Sequence, residues 1–295
     1  MTLRTVKAHV LLVLVTLVWG ATFVQIKDVL RDISPLLFNT VRMCLAAVTL
    51  ALIFRRDMGR IRKAVLADGV LVGAMLWLGY EFQSTGLART TPSKSAFLTG
   101  VSVVLVPVFL GVFWRKRFTG WTWAGVLLAF AGLYLMSVPG GMAQWQAINT
   151  GDLLTLACAV AFGFQIILVG RASSRHGFEP IAFLQIAAAA VLMAFTVPLV
   201  EQPHAVWSGR VLTAIVVTGL LGTAGAFSVQ AWAQQFTSPT YAALIFSLEP
   251  VFAWLTSYLV LGERLGYRAG AGAALILGGI LTAELKGSPA DEAAS

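Results

Sequence analysis

Long runs of apolar residues alternate with short polar segments along the whole chain. An α-helix needs about 20 mostly apolar residues to cross the hydrocarbon core of a bilayer, and each run is close to that length. Apolar side chains occupy every face of the runs, which is typical of membrane helices and not of amphipathic helices in soluble proteins. The pattern predicts an all-α integral membrane protein with ten transmembrane helices, over residues 9–27, 35–54, 66–87, 92–113, 121–138, 151–170, 179–200, 211–235, 239–260 and 268–285.

Proline marks the start of four predicted helices, at Pro35, Pro92, Pro180 and Pro239. A proline in the first turn removes an N–H group that would have no partner within the helix, so it is tolerated there. After the last predicted helix, the small and polar sequence GSPADEAAS lacks the apolar residues of a packed core. We therefore expect residues 286–295 to form a disordered cytoplasmic tail.

The chain contains an internal repeat at an interval of about 147 residues. The residues that coincide are Gln83 with Gln230, Pro92 with Pro239, Gly125 with Gly272 and Gly132 with Gly279, and, at a slightly shorter interval, Trp19 with Phe162 and Pro35 with Pro180. The repeat predicts two copies, at residues 1–138 and 151–285, joined by an uncharged periplasmic linker at 139–150.

Each predicted copy contains five transmembrane helices. Because five is an odd number, the second copy enters the membrane upside down relative to the first. Inverted repeats are typical of secondary transporters, whose two halves exchange conformations and open one central site to each side of the membrane in turn. The repeat therefore favours a transport function.

The composition agrees with a membrane protein and argues against binding to nucleic acid. The chain is 58% hydrophobic and 12% charged, with a mean hydropathy of +0.83, whereas a soluble domain carries about 25% charged residues. The net charge is +8, but the basic residues lie in short segments between apolar runs. They do not form the basic face of a nucleic-acid-binding domain.

The same basic residues predict the orientation in the membrane. With the N-terminus in the cytoplasm, thirteen Lys and Arg residues lie on the cytoplasmic side and seven on the other side, while Arg42 lies inside a helix. Loops rich in Lys and Arg favour the cytoplasmic side of a membrane. The sequence therefore predicts a multi-pass protein whose N-terminus and C-terminus are both cytoplasmic.

The second copy contains SPTYAALIFSLEPVFAWLTSYLVLGERLGYRAGAGAALILGGIL. Its most characteristic motifs are S-L-E-P, G-E-R-L and the closing G-x-x-L-I-L-x-G. This segment closely resembles the EamA-type module of the drug/metabolite transporter superfamily. The first copy resembles the same module through LVWGATFV and LARTTPSKSAFLTGVSVVLVPV, and departs from it where Lys116 and Arg117 replace the Glu-Arg pair. The resemblance covers about residues 8–285 and implies ten helices, a bacterial inner-membrane location and export of metabolites, amino acids among them.

Ionisable residues at membrane depth are costly and are candidates for function. Glu81 is one of them, and helical spacing can place it on one face with Trp77, Tyr80 and Ser84. A carboxylate beside aromatic rings could hold an ammonium group by charge and by cation–π attraction. The alternative is that Glu81 pairs with a buried Arg or Lys and fixes helix packing.

Two basic residues also lie within predicted helices. Lys94 could bind a substrate carboxylate, or its side chain could extend to the membrane interface. Arg42, with Asn39 one turn before it, could form an ion pair or bind carbonyl groups between helices, or it could act on the substrate. The basic residues that could pair with Glu81 are Arg42 and Lys94.

Glu249 and Pro250 interrupt the ninth apolar run. Pro250 removes the hydrogen bond that its N–H would make to the carbonyl of Phe246, so we expect a bend there. Carbonyl groups freed at membrane depth need partners or must line a wet cavity. Glu249 is therefore either a proton-coupling carboxylate at the bend or a structural group held by backbone N–H groups of a neighbouring helix.

Buried amides and aromatic rings complete the candidate site, although each could equally serve helix packing. The predicted substrate-binding residues are Trp19, Trp77, Tyr80, Glu81, Gln83, Lys94, Phe97, Gln165, Gln230 and Tyr241, with Phe162 and Phe227 as further aromatic candidates. The predicted coupling residues are Glu81 and Glu249.

The chain lacks the motifs of several other functions. It has no GxxxxGK[ST] nucleotide-binding loop and no HExxH zinc motif, and GAGAAL at 270–275 lacks the last glycine of a dinucleotide loop. We expect no metal, no cofactor and no enzymatic activity. The prediction is a monomeric secondary transporter that exports amino acids or similar small metabolites by alternating access. The alternatives are an exporter of lipophilic cations, an intramembrane enzyme acting on lipid-linked substrates, and a membrane receptor without transport activity.

Overall fold

The computed structural model describes residues 2–90, 92–138, 149–262 and 266–287. Within these ranges the regular structure is helical, apart from one isolated β-bridge between Ile33 and Ala205. Ten helical spans in the described residues are long and apolar enough to cross a membrane, which confirms the predicted all-α, ten-helix architecture. Most of the linker and of the C-terminal tail lies outside the described residues.

The spans are built from thirteen α-helices, because three spans are interrupted. The helices are α1 (Leu3–Val29), α2 (Pro35–Ile53), α3 (Lys63–Leu87), α4 (Pro92–Gly100), α5 (Ser102–Trp114), α6 (Gly120–Ser137), α7 (Thr150–His176), α8 (Phe178–Val200), α9 (Gly209–Gly219), α10 (Ala226–Ala233), α11 (Pro239–Phe246), α12 (Glu249–Leu261) and α13 (Tyr267–Lys286). A turn separates α4 from α5 and α11 from α12, and a π-helical segment at Leu220–Gly225 joins α9 to α10.

The predicted prolines lie in the first turns of helices. Pro35, Pro92 and Pro239 are the first residues of α2, α4 and α11, and Pro180 is the third residue of α8. The expected bend before Pro250 is also present, since α12 begins anew at Glu249. The equivalent break between α4 and α5 has no proline at the corresponding position, so proline is not the only cause of this geometry.

The helix bounds repeat at the interval found in the sequence. The first and last residues of α5 and α12 lie 147 positions apart, as do Arg115 and Gly262, which follow these helices. Both adopt the left-handed conformation, with φ of 53° at Arg115 and 66° at Gly262. A left-handed non-glycine residue is unfavourable by roughly 1–2 kcal/mol. The two copies thus share this turn even where the first copy has no glycine.

Glycines that the repeat matches let α6 and α13 approach each other closely. A Cβ atom on Gly125 of α6 would lie 2.6 Å from the carbonyl oxygen of Gly279 on α13, and one on Gly272 would lie 2.6 Å from the carbonyl oxygen of Gly132. These four glycines exchange positions under the repeat. Small residues at such crossings let two helix backbones pack in direct contact.

Polar contacts join the two copies at both ends of the helix bundle. At the end where α1 begins, His9 contacts Glu284 of α13 at 3.1 Å and the Thr237 hydroxyl at 2.6 Å. At the opposite end, Arg210 at the start of α9 contacts Asp32 at 2.7 Å, just after α1. Trp19, Tyr80 and Phe227 lie in the interior of their spans, away from the helix ends that carry these contacts.

Candidate functional site

Two aromatic pairs lie at the centre of the bundle, where helices of both copies meet. The Tyr80 ring of α3 packs edge to face against Phe162 of α7, with ring centroids 5.6 Å apart. Phe227 of α10 packs against Trp19 of α1 at the same centroid distance of 5.6 Å. The repeat interchanges Tyr80 with Phe227 and Trp19 with Phe162. The sequence therefore indicated four aromatic residues that form one repeated contact across the two copies.

The Trp19 ring also contacts the π-helical segment. Its indole Nε1–H donates a 2.8 Å hydrogen bond to the carbonyl of Gly222, and its ring lies 5.3 Å from that of Phe246. A π-helical turn leaves backbone carbonyls without their usual partners and often occurs at functional positions. The equivalent part of α3 is regular α-helix, so this feature belongs to the second copy alone.

Glu81 is 8% exposed and lies between α3 and α8. It accepts a 2.6 Å hydrogen bond from the Thr196 hydroxyl, which in turn accepts one of 3.2 Å from the indole N–H of Trp77. The alternative, in which Glu81 pairs with Arg42 or Lys94, is not found among the described residues, where its partner is Thr196 on the neighbouring helix. Thr196 lies in a uniformly apolar run, and its spacing gave no sign of this contact.

The predicted common face of α3 is divided between two neighbouring helices. Trp77 and Glu81 contact α8, whereas Ser84 accepts a 3.1 Å hydrogen bond from Asn39 of α2 and Tyr80 faces α2 and α7. Four residues at this spacing cover an arc of about 100° on a helix of 3.6 residues per turn. An arc of this width can contact more than one helix in a bundle.

Arg42 of α2 is 6% exposed. Its guanidinium lies 4.8 Å from the centroid of the Tyr80 ring and 5.8 Å from that of Phe38. Its Nε has no hydrogen-bond partner, and among the described residues no carboxylate lies within ion-pair distance of the guanidinium. The ion pair considered for Arg42 is therefore absent from this part of the chain.

Lys94 pairs with an acidic residue that sequence analysis did not identify. Its Nζ lies 3.0 Å from Oδ2 of Asp152, near the first residues of α4 and α7. Asp152 also accepts hydrogen bonds from the Thr90 hydroxyl and from the backbone N–H of Asn149, as part of a capping box at the start of α7. The spacing Asn149-x-x-Asp152 is the signal that could have indicated this helix start.

Three buried glutamine side chains form one hydrogen-bonded cluster. Gln165 Nε2 donates to Gln185 Oε1 at 3.0 Å, and Gln230 Nε2 donates to Gln165 Oε1 at 3.2 Å. Gln185 is fully buried, and its Nε2 makes no hydrogen bond in the structure. Gln83, which the repeat matches with Gln230, makes no hydrogen bond to the described residues. The two glutamines therefore have different surroundings.

Phe97 and Tyr241 lie beside the helices of the α6–α13 pair. Phe97 packs against Phe130 and Tyr134 of α6, with centroid distances of 5.3 and 5.7 Å. The Tyr241 hydroxyl donates a 2.7 Å hydrogen bond to the carbonyl of Ala283 on α13. Neither residue takes part in the two central aromatic pairs.

Glu249 is half-buried at the break in the ninth span. Within the described residues its carboxylate makes no hydrogen bond or ion pair, so the backbone clamp considered for it is not found there. The backbone carbonyl oxygen of Glu249 lies close to Gly20 of α1, where a Cβ atom would come within 2.9 Å of it. Glu249 thus lies where α12 of the second copy packs against α1 of the first.

The model of the EamA-like transporter family matches this chain twice, at residues 6–138 and 149–283. An uncharacterized transporter of Archaeoglobus fulgidus is 34% identical over 282 residues, which are 93% of this chain and 85% of that protein. The threonine/homoserine exporter RhtA of Escherichia coli is 26% identical over 208 residues, which are 69% of this chain and 65% of RhtA. A solved crystal structure with 19% identity superimposes with a TM-score of 0.79, covering 95% of this chain and 97% of its own, and has the same fold.

Proposed function

Because this chain belongs to the EamA-like transporter family, we propose that it is a secondary transporter that exports amino acids or similar small metabolites. The observation that carries this proposal is the repeated aromatic contact between Tyr80 and Phe162 and between Trp19 and Phe227. Secondary transporters built from inverted repeats bind their substrate where the repeats meet, near the middle of the membrane. The name of one relative, a threonine/homoserine exporter, supports amino acids as the substrate class.

Alternating access requires the two ends of the bundle to open in turn. The contacts of His9 with Glu284 and Thr237 join the copies at one end, and the contact of Arg210 with Asp32 joins them at the other. One set would break while the other remains formed, and the aromatic pairs between them would separate to admit the solute. The two copies, residues 1–138 and 151–285, would act as the inverted moving halves.

The membrane arrangement follows from the same proposal. The excess of basic residues on one side supports cytoplasmic N- and C-termini in a bacterial inner membrane, with the linker in the periplasm.

One chain contains both copies, so a monomer would suffice for transport. Coupling to protons would use a carboxylate at membrane depth, and the two candidates are Glu81 and Glu249.

Amino-acid export can be measured in intact bacteria. Cells fed with dipeptides accumulate amino acids inside, and cells that make this protein should release a subset of them into the medium faster than cells without it. Phe162→Ala should slow this release because it removes half of a central aromatic pair. Phe195→Ala, at a position that is 71% exposed on the lipid-facing side of α8, serves as the matched control and should leave release unchanged.

A lipophilic cation is the second candidate substrate. The half-buried carboxylate of Glu249, which has no partner among the described residues, favours it, since a carboxylate attracts organic cations and aromatic rings do so as well. Cells that make the protein would then tolerate higher concentrations of a lipophilic cation such as tetraphenylphosphonium. Tolerance without amino-acid release would replace the amino-acid proposal with this one.

A further inference from the structure

The Arg42 guanidinium is buried in the bundle without a counter-ion among the described residues. A buried charge that lacks a partner destabilises a folded protein by several kcal/mol. Its cation–π contacts with Tyr80 and Phe38 offset only part of this, because such contacts contribute about 0.5–2 kcal/mol each. The Nε–H group of the guanidinium is one donor that has no acceptor. The arrangement therefore lacks an anion.

Other acidic residues of the described chain that have partners do not pair with Arg42. Their partners are Thr196 for Glu81, Lys94 for Asp152, Arg210 for Asp28 and Asp32, and the backbone N–H groups of Leu36 and Leu37 for Glu201. Glu249 is not within ion-pair distance of Arg42. No described side chain is thus placed to neutralise the guanidinium in this conformation.

The neighbours of Arg42 hold it in position rather than neutralise it. The Tyr80 ring supports the guanidinium from one helix, and Asn39, one turn earlier on α2, donates to Ser84 of α3. These contacts fix α2 against α3 and restrict the side chain before any solute arrives. A fixed and planar guanidinium can donate two parallel hydrogen bonds to a carboxylate, which a lysine ammonium cannot do.

We propose that Arg42 binds the carboxylate of the transported solute. The proposal rests on the transport function proposed above and narrows its substrate class to small carboxylates, including zwitterionic amino acids. Arg42 is 6% exposed in this conformation, so the solute would reach its guanidinium when the copies separate at one end. The solute then supplies the anion that the folded chain lacks, and charge-assisted hydrogen bonds of this kind contribute more than neutral ones.

The first test compares solutes with and without a carboxylate. Purified protein in proteoliposomes should exchange labelled threonine, and unlabelled threonine should compete, whereas threoninamide, which lacks the carboxylate, should not. Arg42→Lys keeps the positive charge but cannot donate two parallel hydrogen bonds to a carboxylate. It should raise the half-saturation concentration for threonine tenfold or more. Arg55→Gln, which removes an exposed arginine beyond the end of α2, is the matched control and should leave exchange unchanged.

The second test uses stability, which a purely structural arginine would affect in the opposite direction. Arg42→Gln should unfold at the same or a higher temperature than the wild type, because it removes a buried charge, while threonine no longer raises that temperature. A lower unfolding temperature together with unchanged threonine stabilisation would overturn the proposal. So would threonine exchange by Arg42→Lys with an unchanged half-saturation concentration.

Failure of the transport proposal itself gives a different result. If wild-type protein of verified fold exchanges no amino acid but transports tetraphenylphosphonium, the proposed substrate class is wrong. Arg42 would then bind no substrate carboxylate, and Arg42→Gln would transport the cation at least as well as the wild type. If the wild type exchanges threonine and threoninamide equally, transport stands and only the role of Arg42 is overturned.

Discussion

The Tyr80 ring of α3 packs edge to face against Phe162 of α7, with centroids 5.6 Å apart, and this contact crosses from one copy of the repeat to the other. Trp19 and Phe227 form the equivalent contact at the same centroid distance, with ring planes at 49° instead of 88°. Aromatic pairs contribute about 0.5–1.5 kcal/mol beyond the burial of their surface. Separation of the two copies at these contacts would therefore cost the energy of both pairs.

Trp19 provides a test of the π-helical segment. Trp19→Phe keeps an aromatic ring but removes the N–H that donates to the Gly222 carbonyl. We expect a loss of about 1–3 kcal/mol in the free energy of unfolding, because a buried carbonyl is left without its donor, and a slower transport rate. Trp207→Phe, at a position that is 57% exposed, should change neither quantity. Equal thermal stability of the two variants would show that the hydrogen bond is unimportant.

Two adjacent glycines of α13 test the contact between the copies. A Cβ atom on Gly279 would lie 2.5 Å from the Gly125 carbonyl oxygen and 2.8 Å from the Ala129 nitrogen, whereas one on Gly278 would have no neighbour within 4 Å. Gly279→Ala should therefore lower the unfolding temperature in detergent, with a loss of about 1–3 kcal/mol typical of overpacking. Gly278→Ala should be neutral or slightly stabilising, since alanine favours helix more than glycine does. Unfolding temperatures that do not differ would rule out a tight crossing at this position.

The Lys94–Asp152 ion pair tests whether Lys94 acts on the substrate. Its side chains are 11% and 7% exposed, so Lys94→Met leaves a buried carboxylate without its charge partner. Losing one partner of a buried pair destabilises by about 3–5 kcal/mol, and adding Asp152→Asn should restore part of that loss. The folded Lys94→Met protein should exchange threonine at the wild-type rate. If it is stable but inactive, Lys94 belongs to the binding site.

Glu249 and Glu81 can be separated as coupling residues. Exchange of labelled for unlabelled solute needs no net proton movement, whereas accumulation driven by a pH gradient does. Glu249→Gln should therefore keep exchange and lose the effect of the gradient, because its carboxylate has no described partner that would give it a structural role instead. Glu81→Gln is the comparison variant. Loss of the gradient effect in Glu81→Gln alone would transfer the coupling role to Glu81.

The architecture could be predicted because it depends on local and periodic features of the chain. Apolar length indicated the ten helices, and the positions of Pro35 and Pro239 indicated two helix starts. The shift of 147 residues matched the four glycines, although only the structure shows that they meet at the α6–α13 crossing. The matching of Trp19 with Phe162 also anticipated that these residues occupy equivalent places in the two copies. These signals need no knowledge of which helices are neighbours.

The partners of the polar residues could not be predicted, because they depend on which helix faces meet. Thr196 and Gln185 each complete a buried hydrogen-bond group, yet each lies in an apolar run. Asp152 has a helix-start signal in its spacing from Asn149, but nothing in the sequence indicated its pairing with Lys94. For Arg42 the sequence left an ion pair, a carbonyl contact and a substrate role open, and only the packed helices show that no described carboxylate pairs with it. Spacing along one helix predicted that Trp77, Tyr80 and Glu81 share one face, but these side chains contact two different neighbouring sets of helices.

Counterflow in proteoliposomes is the most direct test of alternating access. Vesicles loaded with unlabelled amino acids and placed in a trace of one labelled amino acid should accumulate the label transiently, because the unlabelled solute inside occupies the returning carrier and competes with the label for exit. Uptake should saturate, and it should depend on the solute inside. Uptake by folded protein that is independent of internal solute would contradict a carrier, and absence of exchange for every amino acid would contradict amino-acid transport.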